Sequence, residues 1–157
     1  MRRDALVARL LRATVRSAMM SGAWVLLGVS RFVIAAVPHA RFARLLGRDL
    51  ATAPAVPVVS PAQVARARTV CRAVARASAA TPWESACYPQ ALTAHVLLSA
   101  TRVPHATCFG VRREAESAEL KAHAWVMAGP VAVSGGDGFA DHATVRTYLW
   151  GRVPHAL

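Results

Sequence analysis

The chain has 157 residues, of which 55% are hydrophobic and 17% charged, and its formal net charge is +11. That length suits one domain with a real core, and the balance excludes a disordered chain. Almost all of the positive charge is arginine, with Lys121 the only lysine; no zinc-finger spacing, basic-aromatic RNA motif or helix-turn-helix accompanies it, so nucleic acid is set aside as a partner.

In chain order, Asp4 to Ala18 alternates arginines with Leu and Val at helical spacing, and Asp4 caps this first helix. Residues 22–36 read as a second, more apolar helix that Pro38 ends. His39–Leu46 is a short amphipathic helix with Gly47 as its stop. Arg2, Arg3, Arg9, Arg12 and Arg16 ahead of the apolar Met19–Val37 look like the start of a signal peptide. The charged region is too long for one, and Arg31 interrupts the apolar part. No uncharged apolar run reaches the ~18–20 residues of a spanning helix. The expectation is a buried or interfacial helix, with membrane-surface association as the alternative.

Residues 49–59, rich in Ala, Pro and Val, read as an extended linker. Ser60-Pro61-Ala62-Gln63 is a helix start: Ser60 the cap, Pro61 the first helical residue, Gln63 the capping-box partner. This helix runs to Ala79 and carries Cys71 as a small core residue. Thr81-Pro82-Trp83 breaks the chain, and a helix follows over Ala86–Ser99. Thr101–Pro104 is a turn. Strands are predicted at 105–112, 123–128, 131–133 and 143–149, with a charged loop at Arg113–Glu119 and a glycine-rich one at Gly135-Gly136-Asp137-Gly138. Helices first and an antiparallel meander afterwards give an α+β fold. The division expected is basic, apolar N-terminal helices over 1–48, a linker over 49–59 and an α+β core over 60–157.

Three cysteines, Cys71, Cys87 and Cys108, stand at wide spacings without a CxxC pair. Neither a disulfide framework nor a zinc site is expected, and a reducing cytoplasm fits best. Cys87 sits where a helix begins. A helix start offers unpaired N–H groups and a positive dipole end, which favour the thiolate form and can hold an oxyanion. Pro89 fits because it lies in the first turn, where its missing N–H costs nothing. His123, in Ala122-His123-Ala124-Trp125-Val126, shares one strand face with Trp125 and Met127. A thiol at a helix start and an imidazole on a strand are the parts of a cysteine nucleophile with its base. Asp137 is the candidate for orienting the imidazole, by reaching back if Val131–Val133 pairs with the histidine strand. A solvated turn aspartate is the other reading of Asp137. His39, His95, His105, His142 and His155 have weaker claims, and no cofactor or metal is required.

Cys87-Tyr88-Pro89-Gln90-Ala91-Leu92, the Leu-rich helix, Val103-Pro104, Phe109-Gly110-Val111-Arg112 and Ala122-His123-Ala124-Trp125-Val126 together resemble the lasso-peptide B protein family, in its C-terminal leader-peptidase half. Arg31-Phe32, Pro38, Phe42-Ala43-Arg44-Leu45-Leu46-Gly47 and Thr81-Pro82-Trp83 are similar as well, and the likeness spans residues 22–136. The resemblance implies a papain/transglutaminase-like core, its nucleophile helix packed on a small antiparallel sheet. It implies a cysteine peptidase that cuts the leader from a ribosomally made lasso precursor peptide. An asparagine-synthetase-like macrolactam cyclase then closes the ring on the freed amine. The family's cysteine and histidine roles fall on Cys87 and His123. Many relatives have an aspartate soon after the histidine strand; here Ser134-Gly135-Gly136 stands there, with Asp137 just beyond. The family's small leader-recognition domain finds no place in these residues, which implies a separate recognition protein or leader binding by the N-terminal helices. The implied place is the cytoplasm, with attachment to the inner membrane face as the alternative. A catalytically silent peptide-presenting scaffold and a transglutaminase-type acyl transferase are the rival readings.

Overall fold

The structure is a computed structural model and describes residues 2–114, 119–136 and 138–151. Helix α1 spans Arg2–Ala36, 35 residues without a break. The sequence suggests two helices here, over 4–18 and 22–36, divided at residues 19–21 beside Gly22. A mid-helix glycine costs only about 1 kcal/mol, and tertiary packing overrides it: Ala23 and Leu27, just beyond the glycine, are buried against Ala73 and Ala77. Pro38 ends the helical run, since the residue before a proline is pushed out of the α region. The short α2, His39–Phe42, and a single 3₁₀ turn, Ala43–Leu46, follow.

Strand β1 is only Arg48–Asp49. Gly47 enters it at φ 113°, and a Cβ there would lie 2.4 Å from the carbonyl oxygen of Leu149, so only glycine allows this approach. The linker leads to α3, Pro61–Ala79, whose start is the expected capping box: the Ser60 hydroxyl accepts from the Gln63 N–H and the Gln63 side chain accepts from the Ser60 N–H. Then come α4, Cys87–Ala100; β2, His105–Arg113; β3, Leu120–Ala128; β4, Val131–Ser134; the short α5, Gly138–Asp141; and β5, Ala143–Trp150.

All pairings are antiparallel and the strand order is β1-β5-β2-β3-β4. The expected meander therefore holds for β2–β4, while β5 crosses back to lie between β1 and β2. The α+β reading stands: a helical layer covers one face of a five-stranded sheet. Val70 and Val74 of α3, Ala91, Ala94 and Leu98 of α4, and Ala124, Val126, Ala128, Val131 and Val133 of the sheet form one buried cluster. Full burial of a valine or leucine stabilises by roughly 1.5–3 kcal/mol. The opposite face buries Ala106, Cys108, Trp125 and Leu149, with Leu50 of the linker packed against them. The linker runs on beside the β3–β4 turn, where Val59 would meet any Cβ placed on Gly129.

The first 48 residues contribute to the same core. Ala23 and Leu27 pack on α3, the hydroxyls of Ser30 and Thr93 lie 3.4 Å apart, and Phe42, Ala43 and Leu46 cluster with Leu92 and Tyr148. Ala13–Ala36 is nonetheless long and apolar enough, by length and composition, to cross a membrane. Arg31 shortens its uncharged runs but leaves the average apolar.

Candidate active site

The chain before α4 is pinned from three sides, and this fixes where Cys87 stands. The Thr81 hydroxyl lies within hydrogen-bond reach of the Ser78 and Trp83 carbonyls, at 2.9 Å each, and of the Ser85 hydroxyl at 2.8 Å. Gln90 reaches back from α4 and donates to the Ser85 carbonyl at 2.7 Å and the Ser78 hydroxyl at 3.0 Å. From α1, Arg31 donates to the Glu84 carbonyl at 2.9 Å, and Trp24 meets Trp83 with ring centroids 5.0 Å apart.

Cys87 is the first residue of α4, as its position before Pro89 suggests. The N-cap, Ala86, is extended at φ −62°, ψ 171° and offers no side-chain cap. No side-chain oxygen therefore competes for the first-turn N–H groups, which face outward from the helix end. Cys87 is a free thiol, half-buried, with no hydrogen-bond partner among the described residues. The other two cysteines differ. Cys71 lies inside α3, its Sγ 3.6 Å from the Ala132 carbonyl, and Cys108 is buried, where burial pushes its thiol up to about 11.

His123 is in β3 opposite Gly110. The predicted alternation holds, and the packing shows which side each set faces. Ala124, Val126 and Ala128 face α3 and α4, whereas Trp125 belongs to the cluster on the other face. His123 goes with Trp125: their rings stack at 6.1 Å and 20°, and the His142 ring lies 4.9 Å from His123. His123 Nε2 is 2.8 Å from the Gly135 carbonyl oxygen, which only accepts, so Nε2 carries the proton in this arrangement. No hydrogen bond joins His123 to Cys87. Strand β4 pairs with β3 at Val126, Met127 and Ala128, so among the described residues the part of β3 that carries His123 has no strand partner on that side.

Asp137, the expected third residue, lies outside the described residues, as does His155. Its neighbours are informative. Gly135 and Gly136 both have positive φ, 78° and 53°, and a Cβ on Gly135 would press on the Ala124 carbonyl and the Trp125 side chain at 2.5 Å. The loop thus passes tightly over the strand that carries His123.

His39, in a Val-Pro-His-Ala context at a segment end, carries no motif in the sequence. In the structure it is the hub of an aromatic group beside α4. Its Nδ1 hydrogen-bonds the Tyr88 hydroxyl, its Nε2 lies 3.3 Å from the Tyr148 hydroxyl, and its ring packs edge-on against Phe109 at 5.1 Å. Burial and the Arg146 charge lower the His39 pKa, and burial raises that of Tyr88. An open cavity of about 540 Å³ lies among His39, Tyr88, Phe109, Arg146 and Tyr148, next along α4 from Cys87. Its makers come from α2, α4, β2 and β5, so no local motif announces it. Among the described residues no group of His, Cys, Asp and Glu is arranged to hold a metal ion.

Residues 29–147 match a protein family described as the transglutaminase-like superfamily. No curated protein and no solved structure matches the chain.

Proposed function

The chain belongs to the transglutaminase-like superfamily, a group built on a fold of the cysteine-protease and acyltransferase type, and from that premise we propose that it is a leader peptidase acting on a ribosomally made lasso precursor peptide. The single observation that carries the reading is the placement of Cys87: a free, half-buried thiol at the uncapped first residue of α4, beside an aromatic cavity open to a peptide side chain. The family resemblance of the segments around Cys87 and His123 supplies the substrate class.

In this reading the Cys87 sulfur attacks the carbonyl carbon at the leader–core junction. The thiol proton passes to His123 and from there to the departing amine, which becomes the new N-terminus of the core. First-turn N–H groups of α4 hold the oxyanion. Water then cleaves the thioester, releasing the leader carboxylate and the thiol. His123 must leave the Gly135 carbonyl to take part, and because it lies on the Trp125 face the end of β3 must move with it to bring the ring to Cys87. Asp137 is assigned the task of orienting the ring. The partners are the precursor, a separate leader-recognition protein and an asparagine-synthetase-like cyclase, in the cytoplasm.

A second reading is favoured by one observation. His123 is held on Gly135 and shares the face of Trp125, away from the helical layer, which suits a catalytically silent scaffold that presents the peptide to the cyclase. Incubation with precursor and recognition protein, followed by mass spectrometry, separates the two. Leader release is expected, and Cys87→Ala abolishes it while His123→Ala reduces it at least 100-fold. Full activity in Cys87→Ala sinks the peptidase reading. A Cys87 thiol inert to alkylation in the folded protein supports the scaffold.

A further inference from the structure

Two surface features adjoin on α1, and neither is used by the proposed peptidase. The first is apolar. Met20, Trp24, Val25, Val29 and Phe32 are all exposed, Phe32 at 72%. Val25, Val29 and Phe32 follow i, i+4, i+7 and so form one stripe. The second is cationic. Arg16 of α1 and Arg72 and Arg76 of α3 line a small cleft together with Met20. Arg72 donates to the Thr69 hydroxyl at 3.3 Å, and none of the three arginines forms an ion pair with a described residue. Met20 also lines the neighbouring groove with Trp24, Val25, Ala77 and Ala80, so cleft and apolar stripe are continuous.

We propose that this face of α1 is a docking surface for an anionic phospholipid membrane, with the arginine cleft on a lipid phosphate and the stripe bedded at the headgroup–acyl boundary. The charge pattern selects the occupant. No acidic residue occurs between Asp4 and Asp49, while Arg9, Arg12, Arg16, Arg31, Arg41, Arg44 and Arg48 all lie there. Three guanidiniums without an ion pair to a described residue favour an anion among them, and a phosphate oxygen accepts from several at once. A long helix with a basic edge and an aromatic-aliphatic face is the form that lies in a membrane interface. The buried side of α1 stays on α3 and α4 throughout, so docking needs no unfolding.

The full chain is sedimented with vesicles of pure phosphatidylcholine and with vesicles containing phosphatidylglycerol. Binding is expected to the anionic vesicles only and to fall as salt rises. Arg72→Gln with Arg76→Gln weakens it about 25-fold, at about fivefold per arginine. Val25→Ser with Phe32→Ser removes it, and both double variants keep the parent melting temperature because the altered side chains are exposed. Equal binding to both vesicles, binding to neither, or unchanged binding in either variant overturns the proposal. So does a dimer in vesicle-free solution that Val25→Ser with Phe32→Ser dissolves, which assigns the face to a second copy of the chain.

Discussion

His105 shows what burial does to a single titratable side chain. It has no exposed surface, its Nδ1–H donates to the Val103 carbonyl at 2.8 Å, and its Nε2 lies 2.9 Å from His95 Nδ1. Trp150 stacks on the ring at 5.4 Å. Burial lowers its pKa from 6.5 to about 4, and burial lowers that of His95 as well. The unfolded chain therefore binds protons that the folded chain refuses. Stability is complete above the unfolded value and is lost as pH falls from 6.5 through about 4. A shift of that size corresponds to about 3 kcal/mol. The urea midpoint is expected to fall between pH 7.5 and 4.5, and His105→Gln is expected to flatten that fall. At this scale the sequence told unevenly. Cys87 was legible because Pro89 fixes the first turn of a helix. The facing of His123 was not, because Ala124 and Trp125 are both apolar neighbours and either set could have met the helices. Only the packing of small Ala124 and Val126 against α4 decides it, which leaves Trp125, with His123, for the outer face.

Elements with local causes were the easiest to read. Ser60, Pro61 and Gln63 are a complete start signal, and α3 begins where they place it. Ser60→Ala removes the acceptor for the Gln63 N–H and is expected to lower stability by about 1 kcal/mol in a urea titration, without change in slope. Ser60→Asp should retain most of that difference, since Asp caps equally well. Where an element depends on a distant partner, the sequence is silent. Strand β1 consists of Arg48 and Asp49, paired with Leu149 and Tyr148. Nothing in Gly47-Arg48-Asp49-Leu50 signals a strand, because the cause lies in β5 and in the fit of Gly47 against Leu149. The continuity of α1 has the same origin: the sequence divides it at residues 19–21, and the pull of Ala23 and Leu27 into the α3 contact overrides that division. The crossing of β5 was hidden for a related reason, as alternation marks a strand without naming its neighbours.

For the molecule as a whole, α1 packs on both α3 and α4, so the three helices should melt together. Leu27 is fully buried between α1 and α3. Leu27→Ala is expected to lower stability by about 2–5 kcal/mol and to shift a single calorimetric transition. A separate early transition for α1, with the remainder unmoved, would show instead that the N-terminal helix is an independent attachment. The place of β5 has a consequence in time. It is the last of the five strands to be synthesised, yet it sits between β1 and β2 and bonds to both. Until it emerges from the ribosome, β1 has no partner and β2 has an open edge. Closing the sheet joins residues 48–49 to 148–149, nearly two thirds of the chain apart, and that long loop carries a closure entropy. A chain lacking β5 leaves the β2 edge bare, and a bare edge is a template for pairing with another chain, so truncation before Ala143 is expected to cause aggregation in a light-scattering assay.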